Sequence, residues 1–269
     1  TRNDIYKLGT LTIAPFDWME ASYFYYRPSD LLWAGPETKG LYLDKGFNVK
    51  FSYQPKYKVL PKIAIGLNDF AGHSLFSREY IVATKEIKNF KVNMGMGWGA
   101  FSQQKSFKNP LSVISDGFID RPSIYNESYG VGGNFSSGSW FRGPVGIFGG
   151  IEMNIPYAKG LKVKMEYDPF DYTDFSCCGG GTSPISETLR MKDSNINIGL
   201  SLPIFKENLN LDVSYIKGNT FNVSIAFGAN FSNNFFPKPK YNKKFKPKIS
   251  SGLKDSNSFY IELLENLNK

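Results

Sequence analysis

Chemistry needs reactive side chains brought together, and this chain offers few. Its one histidine, His73, stands beside Ser74 in GHSLFSRE. A hydrolytic site needs His, Ser and an orienting Asn or Asp in one constellation, which adjacency in sequence does not supply; a loop histidine is the reading. Cys177 and Cys178 adjoin in SCCGGG, where they could form a vicinal bridge, stay free or pair with another chain. A metal site would need more ligands than this loop supplies. GMGWGA at 95–100 has the outline of a dinucleotide fingerprint, but it sits in an alternating strand and no helix follows to receive a phosphate. The sequons NES, NFS and NVS (126–128, 134–136, 222–224, 230–232) are what chance yields in an Asn/Ser-rich chain. No catalytic residue, metal or cofactor is expected.

A second kind of chemistry remains, recognition by spaced charges and amides. Lys50, Lys62, Lys91, Lys162 and Lys164 fall on the polar side of alternating segments, with Glu152, Glu166, Asn195, Asn197 and Asp212 between them. Lysines favour anionic sugar groups, while Asn and Glu hydrogen-bond hydroxyls. Asn68, Asn210 and a series of glycines (Gly66, Gly95, Gly97, Gly146, Gly150, Gly199, Gly228) share that side. Small residues there let loop segments or opposing side chains enter, or let strands bend. The competing reading is that the charges pair with one another and only brace a filled interior.

What must position these residues is a period of two. In residues 145–168, Val145, Ile147, Ile151, Met153 and Ile155 oppose Gly146, Gly150, Glu152 and Asn154. After PYAKG the pattern resumes, with Leu161, Val163, Met165 and Tyr167 against Lys162, Lys164, Glu166 and Asp168. Successive strand side chains point to opposite faces, so this is a hairpin with one apolar and one charged face. Eleven segments carry the signature: 6–14, 17–27, 46–54, 61–69, 78–86, 91–101, 145–155, 161–168, 194–204, 209–216 and 221–232. Many are as long as a tilted strand needs to cross a bilayer. Their connections alternate, short after Ala14 and at 54–60, 87–89, 156–160 and 206–208, long at 28–45, 70–77, 102–144 and 170–193.

Short turns at one rim and long loops at the other are the layout of an outer-membrane barrel. The expected fold is therefore all-β, a closed antiparallel transmembrane β-barrel over residues 1–236. Eleven strands are visible and about twelve expected, since bacterial barrels have even counts. The twelfth is placed upstream of Thr1, with 129–137 as the other candidate. The expected site is the Gram-negative outer membrane, with long loops outside and the tail in the periplasm. Trp18, Tyr25, Tyr53, Trp98, Tyr167 and Tyr215 are expected at the lipid boundary.

No apolar run is long enough for a spanning helix. The net charge of +8 is uneven: from Pro237 onward eight Lys face three acidic residues, a net +5, leaving +3 elsewhere. That excludes a globally basic nucleic-acid binder. Residues 237–254 read as a Pro/Lys-rich linker and 255–269 as the start of a helix.

The chain also resembles the YjbH family of outer-membrane exopolysaccharide proteins. The resemblance lies in FDWMEASYFYYR (16–27), DKGFNVKF (44–51), LPKIAIGLNDFAGHSLFSREYIVATK (60–85), MGMGWG (94–99), WFRGPVGIFGGIEMNIPYAKGLKVKMEYDPFDY (140–172) and YIKGNTFNVSIAFGANF (215–231). It implies an outer-membrane barrel, often delivered as a lipoprotein, encoded beside polysaccharide biosynthesis or export genes, with no established catalytic residue. Members are commonly longer, with a second, similar half. The expected role is assistance to exopolysaccharide or capsule export or surface assembly, as a non-enzyme. The expected partners are membrane lipid, polysaccharide and, through the basic tail, other envelope proteins. An oligosaccharide-selective or general porin and a structural anchor are the alternatives.

Overall fold

A computed structural model of the chain describes residues 6–28, 43–57, 59–72, 77–122, 134–135, 137–158, 160–172, 190–204 and 208–229. The chain divides into two compact units, Thr1–Gly228 and Ala229–Lys269. Apart from Ala229, the second unit lies outside the described residues, and with it the expected linker and helix. His73, Cys177, Cys178 and the NES sequon lie outside them too.

The first unit is built on one antiparallel sheet. Its strands are β1 (Tyr6–Phe16), β2 (Met19–Pro28), β3 (Asp44–Tyr53), β4 (Lys62–Asn68), β6 (Arg78–Ile87), β7 (Phe90–Gly97), β9 (Gly146–Asn154), β10 (Lys162–Tyr167), β11 (Ile196–Pro203), β12 (Leu209–Ile216) and β13 (Thr220–Phe227). The two remaining strands, β5 (Ala71–Gly72) and β8 (Asn134–Phe135), pair with each other in a separate ribbon. Each long strand pairs with its neighbour in sequence order, so all eleven expected segments are strands of one sheet. Segment 129–137, the second candidate for a twelfth, instead contributes β8 to the small ribbon. Among the described residues no pairing joins β1 to β13, so the sheet has two edges and closure is not seen.

Several strands are shorter than the alternation suggested. β1, β2, β3 and β6 reach 10 or 11 residues, whereas β10 has 6 and β4 has 7. The segment expected at 91–101 ends at Gly97, because Trp98 leaves the pleat and Gly99, at φ 62°, opens a 3₁₀ turn over Gly99–Ser102. The loop-length alternation holds up to β12. The last connection, at the rim that otherwise carries long loops, is only Lys217–Asn219, with Lys217 at φ 61° and Gly218 at φ 80°. Positive φ at both central residues is what a tight type I′ hairpin requires.

The register sorts every strand into the same two faces. Directly opposite residues share a face, and the pairs Glu20↔Lys50, Lys50↔Gly66, Lys62↔Thr84, Lys91↔Glu152, Glu152↔Lys164, Lys164↔Gly199 and Ser201↔Asp212 run as polar rows across the sheet. The alternate rows are apolar: Phe51↔Ile65, Ile65↔Ile81, Ile81↔Met96, Met96↔Ile147, then Ile151↔Met165, Met165↔Ile198 and Ile198↔Tyr215.

It is the apolar face that is exposed: Leu11, Met94 and Ile225 are 68%, 63% and 70% accessible, while Lys50 and Lys164 are only half-exposed. A soluble sandwich buries such a face. The polar side is concave, since Leu8 of β1 and Glu166 of β10, the first and eighth strands in sheet order, line one cavity. Among the described residues no helix is long and apolar enough to cross a membrane, which says nothing of a crossing by strands.

Two residues leave the expected apolar surface. Trp98 is buried, its ring edge-on to Phe141 with centroids 5.1 Å apart, so it belongs to a loop core rather than an aromatic rim. Val145 is fully buried, its backbone bridged to Phe107. Both lie where the long connection after β7 folds back over the sheet. Trp18, Tyr25, Tyr53 and Tyr215 remain exposed near strand ends.

Candidate functional site

The concave face divides into stations set by the strands. Toward the short-turn rim, β3, β4, β6 and β7 surround a cavity of about 500 Å³ lined by Lys50, Lys62, Lys85, Lys91, Glu86 and Thr84. Three of the five lysines expected from sequence thus converge. Lys50 is paired with Glu20 of β2, and Lys85 donates to the Val59 carbonyl at 2.7 Å. Lys62 and Lys91 make no ion pair among the described residues. Lys91 stands directly opposite Glu86 and Glu152, yet four lysines against Glu86 leave the cavity lining net positive, a field that attracts an anion.

The other two lysines are held by the wall. Lys162 contacts Glu152 at 3.1 Å and Lys164 contacts Asp212 at 2.8 Å. Glu166 accepts from the Asn197 amide at 2.9 Å, and Asn197 Oδ1 accepts the Lys217 N–H at 2.8 Å. Lys164, Glu166, Asn197 and Asp212 line a separate cavity of about 310 Å³ with Ser214, Asn222 and Ser224. Here the bracing reading fits better: the charges are spent on cross-strand pairs, each worth little when half-exposed. Asn195 stands one residue before β11 and serves through its backbone, its carbonyl accepting the Asp168 N–H at 2.9 Å.

The inward glycines are occupied positions. A Cβ at Gly66 would lie 2.2 Å from the Tyr80 ring, one at Gly95 2.5 Å from Phe148, and one at Gly97 2.6 Å from Phe101. Those three rings pack together, with Phe101 stacked on Phe148 at 4.6 Å and Tyr80 edge-on to both. Aromatic side chains from β6, β9 and the turn after β7 therefore enter the concavity above the lysines, and glycine is the residue that leaves them room.

Beside this cluster lies a cavity of about 520 Å³, toward the long-loop rim. Its lining includes Asn48, Asn68, Arg78 and Asn93 from β3, β4, β6 and β7, and Glu166, Asp168 and Tyr172 from β10 and the residues after it. Asp168 is held by Tyr172 Oη (2.9 Å), the Phe170 N–H (2.9 Å) and the Lys192 ammonium (3.7 Å). Burial pushes the Lys192 amine below the usual lysine range, against the pull of Asp168. Burial also lowers Lys217, with the nearby Arg190 charge adding to it.

At this rim two features escaped the sequence reading. Arg78 sits at an inward position of β6, a signal readable from the alternation Arg78, Tyr80, Val82, Thr84, Glu86. The pair of Glu79 with Arg121 joins a strand to an irregular loop and has no local signal. Among the described residues no group of His, Cys, Asp and Glu could hold a metal ion.

Three comparisons bear on this arrangement. The family model described as "Exopolysaccharide biosynthesis protein YbjH" matches residues 1–266. A protein of Escherichia coli (strain K12) named "Uncharacterized lipoprotein YjbH" is 29% identical over 261 residues, covering 94% of this chain and 34% of that protein. The chain thus spans about a third of the length of that relative. No solved structure matches.

Proposed function

Since this chain belongs to the YjbH family of exopolysaccharide biosynthesis proteins, we propose that its curled sheet forms an outer-membrane β-barrel that assists export or surface assembly of an exopolysaccharide. The observation that carries the reading is the inverted sheet: a continuous exposed apolar face outside, and a concave polar face inside with lysines in excess over acids in one cavity. In a bilayer the first face meets acyl chains and the second lines a wet interior. The E. coli relative's lipoprotein name supports an envelope location. The long loops face out of the cell, the tail lies in the periplasm, and one further strand closes the seam between β1 and β13.

The chemistry is binding and passage, with no bond broken. Lys62 and Lys91, with Lys50 beside them, draw acidic sugar groups into the concavity, and neighbouring hydroxyl and amide groups hydrogen-bond the sugar. An oligosaccharide-selective porin shares this geometry but works in the opposite direction. Deleting the gene separates the two: loss of surface polysaccharide with sugar uptake intact supports export, and the reverse pattern supports the porin. A strain normal in both, whose envelope assembly depends on residues 237–269, supports an anchoring role.

A further inference from the structure

We propose that Arg78, framed by Asn48, Asn68 and Asn93, is a recognition point for the carboxylate of an acidic sugar, distinct from the lysine station below it. The inference rests on the reading that the concavity receives an acidic glycan, and it assigns specificity to residues that reading does not use.

Arg78 is directly opposite Asn68 in the β4–β6 register and lines the 520 Å³ cavity together with Asn48 and Asn93. Among the described residues its guanidinium makes no ion pair, and its buried Nε finds no hydrogen-bond partner. It lies over the Phe101 ring, 4.8 Å from the centroid, which holds the planar fork against one wall. A half-buried arginine without a carboxylate partner is unusual, because taking that charge from water costs free energy that a paired acid normally offsets. A ligand carboxylate suits this guanidinium, since the fork matches it with two parallel N–H···O bonds.

The surrounding groups suit the rest of a sugar. Asn48 is fixed by accepting the Asp69 N–H at 2.9 Å, and Asn68 and Asn93 make no side-chain hydrogen bond among the described residues. Amides can donate to and accept from hydroxyls. The acids nearby do not serve Arg78. Asp69 lines the same cavity but is buried with its Oδ1 against Gly46 and Gly72 and makes no ion pair with Arg78, Asp168 is held by Lys192 and Tyr172, and Glu166 is bonded to Asn197. Glu166 and Asp168, from the β10 side of the same cavity, set a polarity: carboxylate toward Arg78, hydroxyls toward the acids.

The two stations lie along one wall. Lys62↔Thr84 and Asn68↔Arg78 are six residues apart on β4 and β6, about 20 Å at the usual strand rise. β3, β4, β6 and β7 each contribute to both cavities. A chain of several sugars can touch both at once, whereas a single one reaches only one.

The test measures binding of a galacturonic acid trimer and of maltotriose, its neutral counterpart, to the full-length protein in detergent. Arg78→Gln should weaken the acidic trimer at least about tenfold, the least expected for loss of a charge-assisted bidentate pair, and leave maltotriose unchanged. Arg78→Lys should recover only part of the loss, and Asn68→Ala should weaken both trimers. Heat-modifiable migration checks that each variant is folded, and Asn68→Ala carries the test if Arg78→Gln is not. Wild type that prefers the acidic trimer, with Arg78→Gln unchanged and Lys62→Gln plus Lys91→Gln abolishing the preference, overturns the inference and keeps the broader reading. No preference in the wild type overturns both.

Discussion

Glu79 and Arg121, 42 residues apart, are locked in a two-pronged ion pair, with Arg121 Nη1 2.6 Å from Oε2 and Nη2 2.9 Å from Oε1. Glu79 is 1% exposed at the start of β6, and Arg121 belongs to the long connection between β7 and β9. Around the pair, the Phe141 N–H donates to Oε2, and Arg121 also donates to Ser77 Oγ and the Ser139 carbonyl. Asn109 ties the same loop internally, donating to the carbonyls of Phe118 and Phe141. The connection is a folded cap fastened to the sheet rim.

Removing one partner of such a buried pair leaves the other charged and unpaired, at a cost of about 3–5 kcal/mol. Arg121→Ala should therefore loosen the cap while the strand ladder survives. Limited proteolysis should cut within 98–145 well before the sheet opens, and heat modifiability should persist. Cleavage at the wild-type rate would mean that the cap is held by its aromatic packing instead.

The fold was legible because its signal is periodic. All eleven strands and the polar face follow from alternation, and the register places nine of the ten expected site residues in strands on one side, with Asn195 just ahead of β11. The cap was not legible for the converse reason. Irregular backbone has no period, so nothing in sequence shows residues 99–122 and 137–144 returning over the rim to bury Trp98 and Val145. Glu79, opposite Leu67 on the apolar side, reads as a stray charge until its distant arginine is seen. Arg78 falls on the polar face by the same alternation, but a single arginine lacks the repetition that marks the lysines.

The glycines of the polar face should tolerate nothing larger where backbone stands against them. A Cβ at Gly146 would lie 2.0 Å from the Phe101 carbonyl oxygen, whereas one at Gly9, on the apolar face, meets nothing within 4 Å. Gly146→Ala should cost about 1–3 kcal/mol through forced backbone movement, read as a lower urea midpoint in micelles. Gly9→Ala should change it little. Equal midpoints would show that the turn after β7 yields freely.

Adjacent residues on one strand separate the two faces. Val213 pairs with Leu200 and Val223 on the apolar side, and Ser214 with Gly199 and Asn222 on the polar side. If the apolar face meets lipid, Val213→Arg should cost about 2–4 kcal/mol of folding into vesicles, provided the position lies near the midplane. Ser214→Arg, one residue away, should fold nearly as well as wild type. A soluble protein would show no such contrast in lipid dependence.

Closure of the sheet can be read chemically at its edges. Eleven successive antiparallel strands leave β1 and β13 running in the same direction, so direct pairing would create a parallel seam in an otherwise antiparallel wall. A twelfth strand between them restores antiparallel order on both sides. The alternatives differ in distance: neighbouring strands lie about 4.8 Å apart, so edges separated by one strand lie about 10 Å apart, beyond the roughly 7 Å that a disulfide spans. In full-length protein with Cys177→Ser and Cys178→Ser, pairing Leu11→Cys with Val223→Cys or with Ile225→Cys should give no intramolecular bridge under mild oxidation. Leu11→Cys with Tyr23→Cys, directly opposite in the β1–β2 register, should bridge readily as the positive control. A bridge between β1 and β13 would place the two edges side by side and remove the need for a further strand.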